Sequence, residues 1–343
     1  MAGAGGWRGA FGGRGVFAWD EVAMRVGQNP AKFVDQVAQP AKITVTVITY
    51  IPFLGGYYAE SLEVLKVCLG SIWQNTDLPY DLLVFDNASC AEVRQYLKEV
   101  HEQGKIQFLW FSDKNIGKAG AWNIIFGGAP GEIIAYADSD VYFYPGWLSA
   151  LVSTLERFPR AGMVTGMPLW SPLEYANQTV EWAREQAEVE LCQGQFLAWE
   201  DYWRHSRSLG KTEAEARQHF ESRQDTCLVY KGERYYIGAG HFQFVAKKQV
   251  LQEVIPLPSE RPMGQVRALD IALNAKGYLR LSTPNWWVQH LGNTLTTWRE
   301  EKSFSDTVKE FHPTRKSIKP LGKPLRRLLV WLNNKTFEFL YRY

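Results

Sequence analysis

Glu132-Ile133-Ile134-Ala135-Tyr136-Ala137-Asp138-Ser139-Asp140 is the stretch on which the fold turns. Its short, largely apolar opening predicts a buried strand over 132–137. Two carboxylates follow at once. In extended backbone, residues i and i+2 point to the same side, so Asp138 and Asp140 can address one ion or one phosphate group. Hard oxygen donors past a strand end suit Mg²⁺ or Mn²⁺, with water and phosphate oxygens completing the shell. An Asp-x-Asp triplet also arises by chance in turns and caps, so its setting must carry the reading.

On the N-terminal side, Ile43, Val45 and Val47 alternate with threonines and read as a strand. Leu62, Leu65, Leu69 and Ile72 give 59–75 a helical period. A strand at 81–86, a helix near 91–103, a strand at 106–111 and a helix near 119–127 follow. Strands alternating with helices imply an α/β domain, with a mostly parallel sheet covered by helices on both faces. Ligands of such sheets bind beyond the carboxyl ends of the strands. Asp86-Asn87-Ala88-Ser89 stands at one such end and Asp113-Lys114-Asn115-Ile116-Gly117-Lys118-Ala119-Gly120 at another. Each alone would serve a turn or a helix cap. Three polar clusters at three successive strand ends point into one crevice.

On the C-terminal side the rhythm changes. Residues 171–235 hold twelve acids and eight bases, and predict a charged, largely helical insertion. A β-like stretch returns at 236–246, followed by a helix near 264–276, a strand at 278–282 and the aromatic run Trp286-Trp287-Val288. No internal repeat is present.

The 343 residues are 46% apolar, enough for a sizeable core, and the formal charge of +2 gives no push toward nucleic acid. Cys68, Cys90, Cys192 and Cys227 are too scattered for a disulfide framework or a zinc site, which predicts a reduced, cytoplasmic setting. No stretch supplies the roughly 20 continuous apolar residues of a spanning helix. The glycine-rich start has no apolar core of a secretory signal and reads as a flexible leader, with a small helical extension over 16–41.

Taken together, Val45-Thr46-Val47-Ile48-Thr49, Ser71-Ile72-Trp73-Gln74, Leu83-Val84-Phe85-Asp86-Asn87-Ala88-Ser89, Asn115-Ile116-Gly117, Ala121-Trp122-Asn123 and Asp138-Ser139-Asp140-Val141 leading to Pro145-Gly146-Trp147-Leu148 resemble the family 2 glycosyltransferases of GT-A fold. The resemblance runs over roughly 43–150. It implies a nucleotide-diphosphate sugar donor, whose nucleotide is held from Thr49, Asp86, Asn87, Asn115, Gly117 and Asn123. It implies a diphosphate held at Asp138 and Asp140, through Mn²⁺ or Mg²⁺. The stretch 264–293 is similar to the family's acceptor half. There the usual Glu-Asp pair reads Leu269-Asp270, so Asp270 is the candidate base that takes the acceptor hydroxyl's proton. The usual Ser-x-Asp after the second strand is also absent, since Cys90 and Ala91 follow Ser89.

His290 falls where several GT-A enzymes complete the metal site, although a lone histidine is more often structural. His241, Trp286 and Trp287 are candidates for an acceptor groove, because aromatic faces stack on sugar rings. Gly210-Lys211-Thr212 looks like the end of a phosphate-binding loop, but position 205 is His instead of Gly and no strand precedes it.

From Arg315 to Tyr343 there are eight bases and one acid, beside an apolar stripe of Leu325, Leu328, Leu329, Leu332, Phe339 and Leu340. That pattern predicts an amphipathic helix lying on an anionic membrane surface, at the inner face of the cytoplasmic membrane, or docked on the protein's own body. The chain is therefore expected to divide into a leader and extension (1–41), a catalytic domain (42–300, with nucleotide-sugar half 42–141 and acceptor half 142–300) and a basic tail (301–343). The expected activity is transfer to a glycan, lipid-linked or protein acceptor. An inverting course is favoured over a retaining one, and a non-catalytic assembly partner at the membrane is the rival from another class.

Overall fold

The computed structural model describes residues 28–263, 265–296 and 298–299. The tail at 315–343 and residues 1–27 lie outside the described residues. The chain divides into a unit up to Gln39 and a unit from Pro40 onward. Of the extension predicted over 16–41, the described part holds one turn of 3₁₀ helix, Pro30–Phe33, started by Asn29, whose Oδ1 accepts from the Ala31 amide.

In the second unit the strands and helices follow in the order β1 (Ile43–Thr49), α1 (Ser61–Asn75), β2 (Asp81–Asn87), α2 (Ala91–Glu102), β3 (Phe108–Ser112), α3 (Gly117–Gly128), β4 (Ile133–Asp138) and β5 (Val141–Phe143). Then come α4 (Trp147–Arg157), β6 (Ala161–Thr165), α5 (Asn177–Glu185), β7 (Val189–Gly194), α6 (Trp199–Ser208), α7 (Glu213–Ser222), β8 (Asp225–Tyr230) and β9 (Glu233–Ile237). The order closes with β10 (Gln243–Lys247), α8 (Lys248–Gln252), α9 (Arg267–Ala275), β11 (Leu279–Ser282) and β12 (Val288–His290).

Ten of these strands form one sheet in the order β3-β2-β1-β4-β10-β6-β11-β9-β8-β7. The strands β3, β2, β1 and β4 are parallel neighbours, and β10 enters antiparallel beside β4. Counted by direction, β6, β11 and β8 run with the first four while β10, β9 and β7 run against them. The sheet is thus mostly parallel, as the alternation of strands and helices implies.

Every residue of β1 is buried, threonines included. Alternation with threonine therefore does not mark a solvated face here. Central strands of a parallel sheet are covered on both sides, and Thr44 is accommodated because its hydroxyl accepts from the Gly131 amide. On one face, Leu65, Cys68 and Leu69 of α1, Leu97 of α2 and Leu151 of α4 pack on Val45, Val47 and Val84. On the other, Trp122, Ile125 and Phe126 of α3 and Leu269 and Leu273 of α9 pack on Ile134, Tyr136 and Phe244.

The insertion predicted as largely helical over 171–235 is mixed. Helices α5, α6 and α7 are present, but β7, β8 and β9 extend the sheet. The reason is local. Lys231 and Gly232 both take positive φ (51° and 79°), the geometry that closes a two-residue hairpin between β8 and β9. Cys192 and Cys227, distant in sequence, face each other in the β7–β8 register as free thiols. The β-like stretch 236–246 is two strands, because the chain leaves β9 at Gly238-Ala239-Gly240 and crosses to β10. There the Gly240 amide donates to the Thr165 hydroxyl at 2.7 Å. Among the described residues no helix is long and apolar enough to cross a membrane.

Candidate active site at the strand ends

Strand β1 continues through α1 to β2 on one side, whereas β4 arrives on its other side after the excursion through β3 and α3. That reversal opens a crevice beyond the carboxyl ends of β1 and β4, where doubly wound sheets bind ligands. A cavity of about 480 Å³ lies there, lined among others by Tyr50, Asn87, Asn115, Lys118, Asp138 and Asp140.

Two asparagines shape its floor. Asn87 Nδ2 donates to Asn115 Oδ1 at 3.0 Å, and Asn87 Oδ1 accepts from the Ile116 amide at 3.0 Å. Asn115 Oδ1 also accepts from the Gly117 amide at 2.9 Å. These bonds satisfy amides at the start of α3 that have no partner within the helix. Gly117 itself sits at φ +72°, and an added Cβ would lie 2.8 Å from the Arg261 carbonyl.

The carboxylate pair stands opposite. The Asp138 amide donates to the Phe242 carbonyl at 2.7 Å, which pins the end of β4 against the segment entering β10. Asp138 Oδ2 is 2.7 Å from Lys118 Nζ, and its other oxygen accepts from the Tyr136 hydroxyl. Burial pushes the Asp138 carboxyl above its usual range, against the pull of Lys118. Asp140 lies past the strand, in the turn to β5, and not in continued extended backbone. Pairing of β12 with β5 sets His290 opposite Val141 and so beside Asp140, with Nε2 3.3 Å from Asp140 Oδ2. His290 Nδ1 meets the Ser208 hydroxyl of α6 at 2.9 Å. Burial alone would raise Asp140 and lower His290, but their mutual attraction outweighs it: Asp140 falls below its ordinary value and His290 rises above.

The donor set suits a hard cation in part. Asp140 Oδ1 is buried without a hydrogen-bond partner, an oxygen left over for a ligand. Asp138 is already engaged by Lys118 and Tyr136. Among the described residues, no three His, Cys, Asp or Glu side chains gather at metal-binding spacing. A cation here would take carboxylate oxygen from the pair and the rest of its shell from water and phosphate.

The other residues singled out from sequence are dispersed. Thr49 is buried, with its hydroxyl unpartnered. Asp86, next to the cavity-lining Asn87, is fully buried; its carboxylate accepts from the Ser89 amide and from Arg94 Nε at 2.8 Å. Asn123 faces away, donating to the Leu257 carbonyl at 2.9 Å and accepting from the Leu257 amide at 2.7 Å. Trp286 and Trp287 pack against the core, with Arg204 over the Trp286 ring. Asp270 is 3% exposed, with one oxygen 2.6 Å from Arg280 Nη2 and the other 2.6 Å from His241 Nε2.

Sequence reasoning passed over Lys118 as a candidate and missed the aromatic wall of the cavity. Tyr58 makes edge-on contacts with Tyr50, Phe53 and Tyr57, and all four line the cavity. The aromatic density of 50–58 was the available signal.

Residues 57–191 match the family model described as Glycosyl transferase family 2. The match begins beyond β1, later than the resemblance read from sequence. No curated protein matches the chain. Among solved structures, the chain is similar to the mannosyltransferase PcManGT from Pyrobaculum calidifontis in complex with GDP-Man and Mn²⁺, at 16% identity and a TM-score of 0.45, covering 81% of this chain and 66% of that one. It is similar to GalNAc-T7 with UDP, GalNAc and Mn²⁺ at 13% identity and a TM-score of 0.46, covering 73% and 43%. With S. aureus TarS 1-349 the values are 14%, 0.39, 71% and 60%. The chain thus spans less than two thirds of the length of each. By the family match, residues 57–191 of this chain are similar to a glycosyltransferase family 2 domain.

Proposed function

We propose that the chain transfers a glycosyl group from a nucleotide-diphosphate sugar to an acceptor hydroxyl, with inversion at the anomeric carbon. The observation that carries this is the convergence of Asn87, Asn115, Lys118, Asp138 and Asp140 on one crevice at the switch point of the sheet. Tyr50 and Tyr57 give the nucleotide base apolar faces to lie against. Asn87 and Asn115 order the α3 start, whose first amides favour an anion. Lys118 brings a cation to the place where the departing diphosphate gathers charge, and fixed charge aimed there lowers the barrier. Asp138 and Asp140 would hold a divalent cation, Mn²⁺ or Mg²⁺, which neutralises that same charge.

On the acceptor side, Asp270 stands in a cluster with Arg280 and His241 that would draw off the hydroxyl proton. Its depth favours one further reading, a retaining transfer that needs no such base. The acceptor class (glycan, lipid-linked or protein) belongs to the same proposal, as does contact of the basic tail with an anionic membrane.

A thermal-shift panel of uridine, guanosine and thymidine diphosphate sugars, with and without Mn²⁺, tests the reading. Ligands of the native state raise its midpoint. One nucleotide class should stabilise the protein, more so with Mn²⁺. No response to any of them would overturn the proposal.

A further inference from the structure

We propose that His241, not Asp270, is the group that touches the acceptor and receives its proton, with Asp270 as the residue that positions it. This rests on the glycosyl-transfer reading and deepens it. Asp270 cannot easily meet an acceptor. It is 3% exposed, one oxygen is held at 2.6 Å by Arg280, itself 1% exposed, and the other faces His241. Arg280 is fixed in turn by the Tyr175 carbonyl at 2.8 Å and the Ala239 carbonyl at 2.7 Å. A carboxylate so deeply buried leaves little room for an incoming hydroxyl, although its Oδ1 makes no hydrogen bond of good geometry.

His241 is the member of the cluster that reaches solvent, with its side chain 24% exposed. Its Nε2 is buried 2.6 Å from Asp270 Oδ2, without a straight hydrogen bond between them. Catalytic contacts of this kind often straighten only when substrate binds. An ionised carboxylate against Nε2 keeps the hydrogen on that nitrogen and leaves the Nδ1 lone pair free to accept a proton. His241 itself is not among the residues lining the cavity, but its neighbours reach the diphosphate end of the site. Phe242, the next residue, accepts from the Asp138 amide, and the Trp122 ring lies 6.2 Å from His241 and 5.3 Å from the same Lys118 Nζ that bonds Asp138.

The step balances without any co-reactant. The acceptor oxygen forms its bond to the anomeric carbon and the bond from that carbon to the diphosphate oxygen breaks, its electron pair leaving with the nucleoside diphosphate. The acceptor's proton passes to His241 Nδ1. Asp270 stabilises the imidazolium, while Arg280 holds Asp270 in place.

Water is an acceptor that every assay supplies, so the test follows nucleoside diphosphate released from the nucleotide sugar that stabilises the wild type. His241→Gln should lower the maximal rate about 10²-fold or more, the loss typical of a removed general base, with donor affinity by titration calorimetry unchanged. Asp270→Asn should also lower the rate with unchanged donor affinity, but by less, since His241 remains. Free imidazole should restore part of the activity of His241→Ala, whose site opens to solvent. A His241→Gln enzyme as fast as wild type, weakened donor binding in that variant, or a folded His241→Ala that imidazole leaves inactive would each overturn the inference. If the wild type binds no nucleotide sugar, the glycosyl-transfer reading itself falls, and that result is distinct from the others.

Discussion

His205 lies on α6 with its Nδ1 sealed from solvent and without a hydrogen-bond partner, although part of the ring remains accessible. Burial, helped by the nearby His290 and Lys211, drives its pKa down to about 3. A histidine whose folded pKa lies below its unfolded value contributes stability that is fully present above the unfolded pKa near 6.5 and is lost as pH falls toward the folded one. Stability should therefore decline below about pH 6.5 with a contribution from this residue of at most about 1.4 kcal/mol per pH unit. His205→Gln should flatten the decline in urea midpoints between neutral and mildly acid pH. An unchanged slope would show that His205 is protonated in the folded protein as well. Residues differ in how legible they were. Asp138 and Asp140 could be read as a pair from spacing, because the strand and turn that join them are local. His290 came only from the resemblance, since its place beside Asp140 depends on β12 returning to β5. Lys118 could be read from neither, since its partner is set by the packing of α3 on β4, and a lone lysine in a polar loop looks solvated. The depth of Asp270 was equally hidden: only the fold shows that Arg280 lies beneath it.

The start of α3 is the element that joins fold to site. Gly117 is needed there on two counts, a positive φ and a carbonyl where a side chain would go. Gly117→Ala should cost on the order of 1–3 kcal/mol, the penalty of a strained backbone conformation. It should weaken donor binding as well, because Asn115 and Lys118 move with the same turn. Urea unfolding and donor titration measure the two effects; a variant with normal binding would detach this turn from the site. Strands β1 to β4 were legible because each is a short, largely apolar run with Gly, Pro or Asn close by, whereas β6, equally apolar, was passed over. Strand β7 was not, since Glu190 and Gln193 interrupt it on a partly exposed outer strand, where charge is tolerated and a helix fits the composition equally well. Strands β5 and β12, three residues each, are too short to carry a period.

At the scale of the whole molecule, the acid–base asymmetry predicts where the protein works. The eight bases of 315–343 each contribute on the order of 1 kcal/mol near an anionic surface, within a Debye length. Deleting 315–343 should release the protein from anionic vesicles in a co-sedimentation assay, and salt should weaken binding of the full chain. Donor turnover should survive, as every residue assigned to the site precedes the tail. A truncated protein that unfolds would assign the apolar stripe to the core instead. The central claim is that the crevice beyond β1 and β4 binds the diphosphate of a nucleotide sugar at the Asp138–Asp140 pair. Titration calorimetry of the stabilising nucleotide sugar in Mn²⁺, wild type against Asp140→Asn, tests it most directly. The account predicts that the Mn²⁺-dependent part of the affinity disappears while thermal unfolding remains cooperative; donor binding that is the same in both proteins would contradict it.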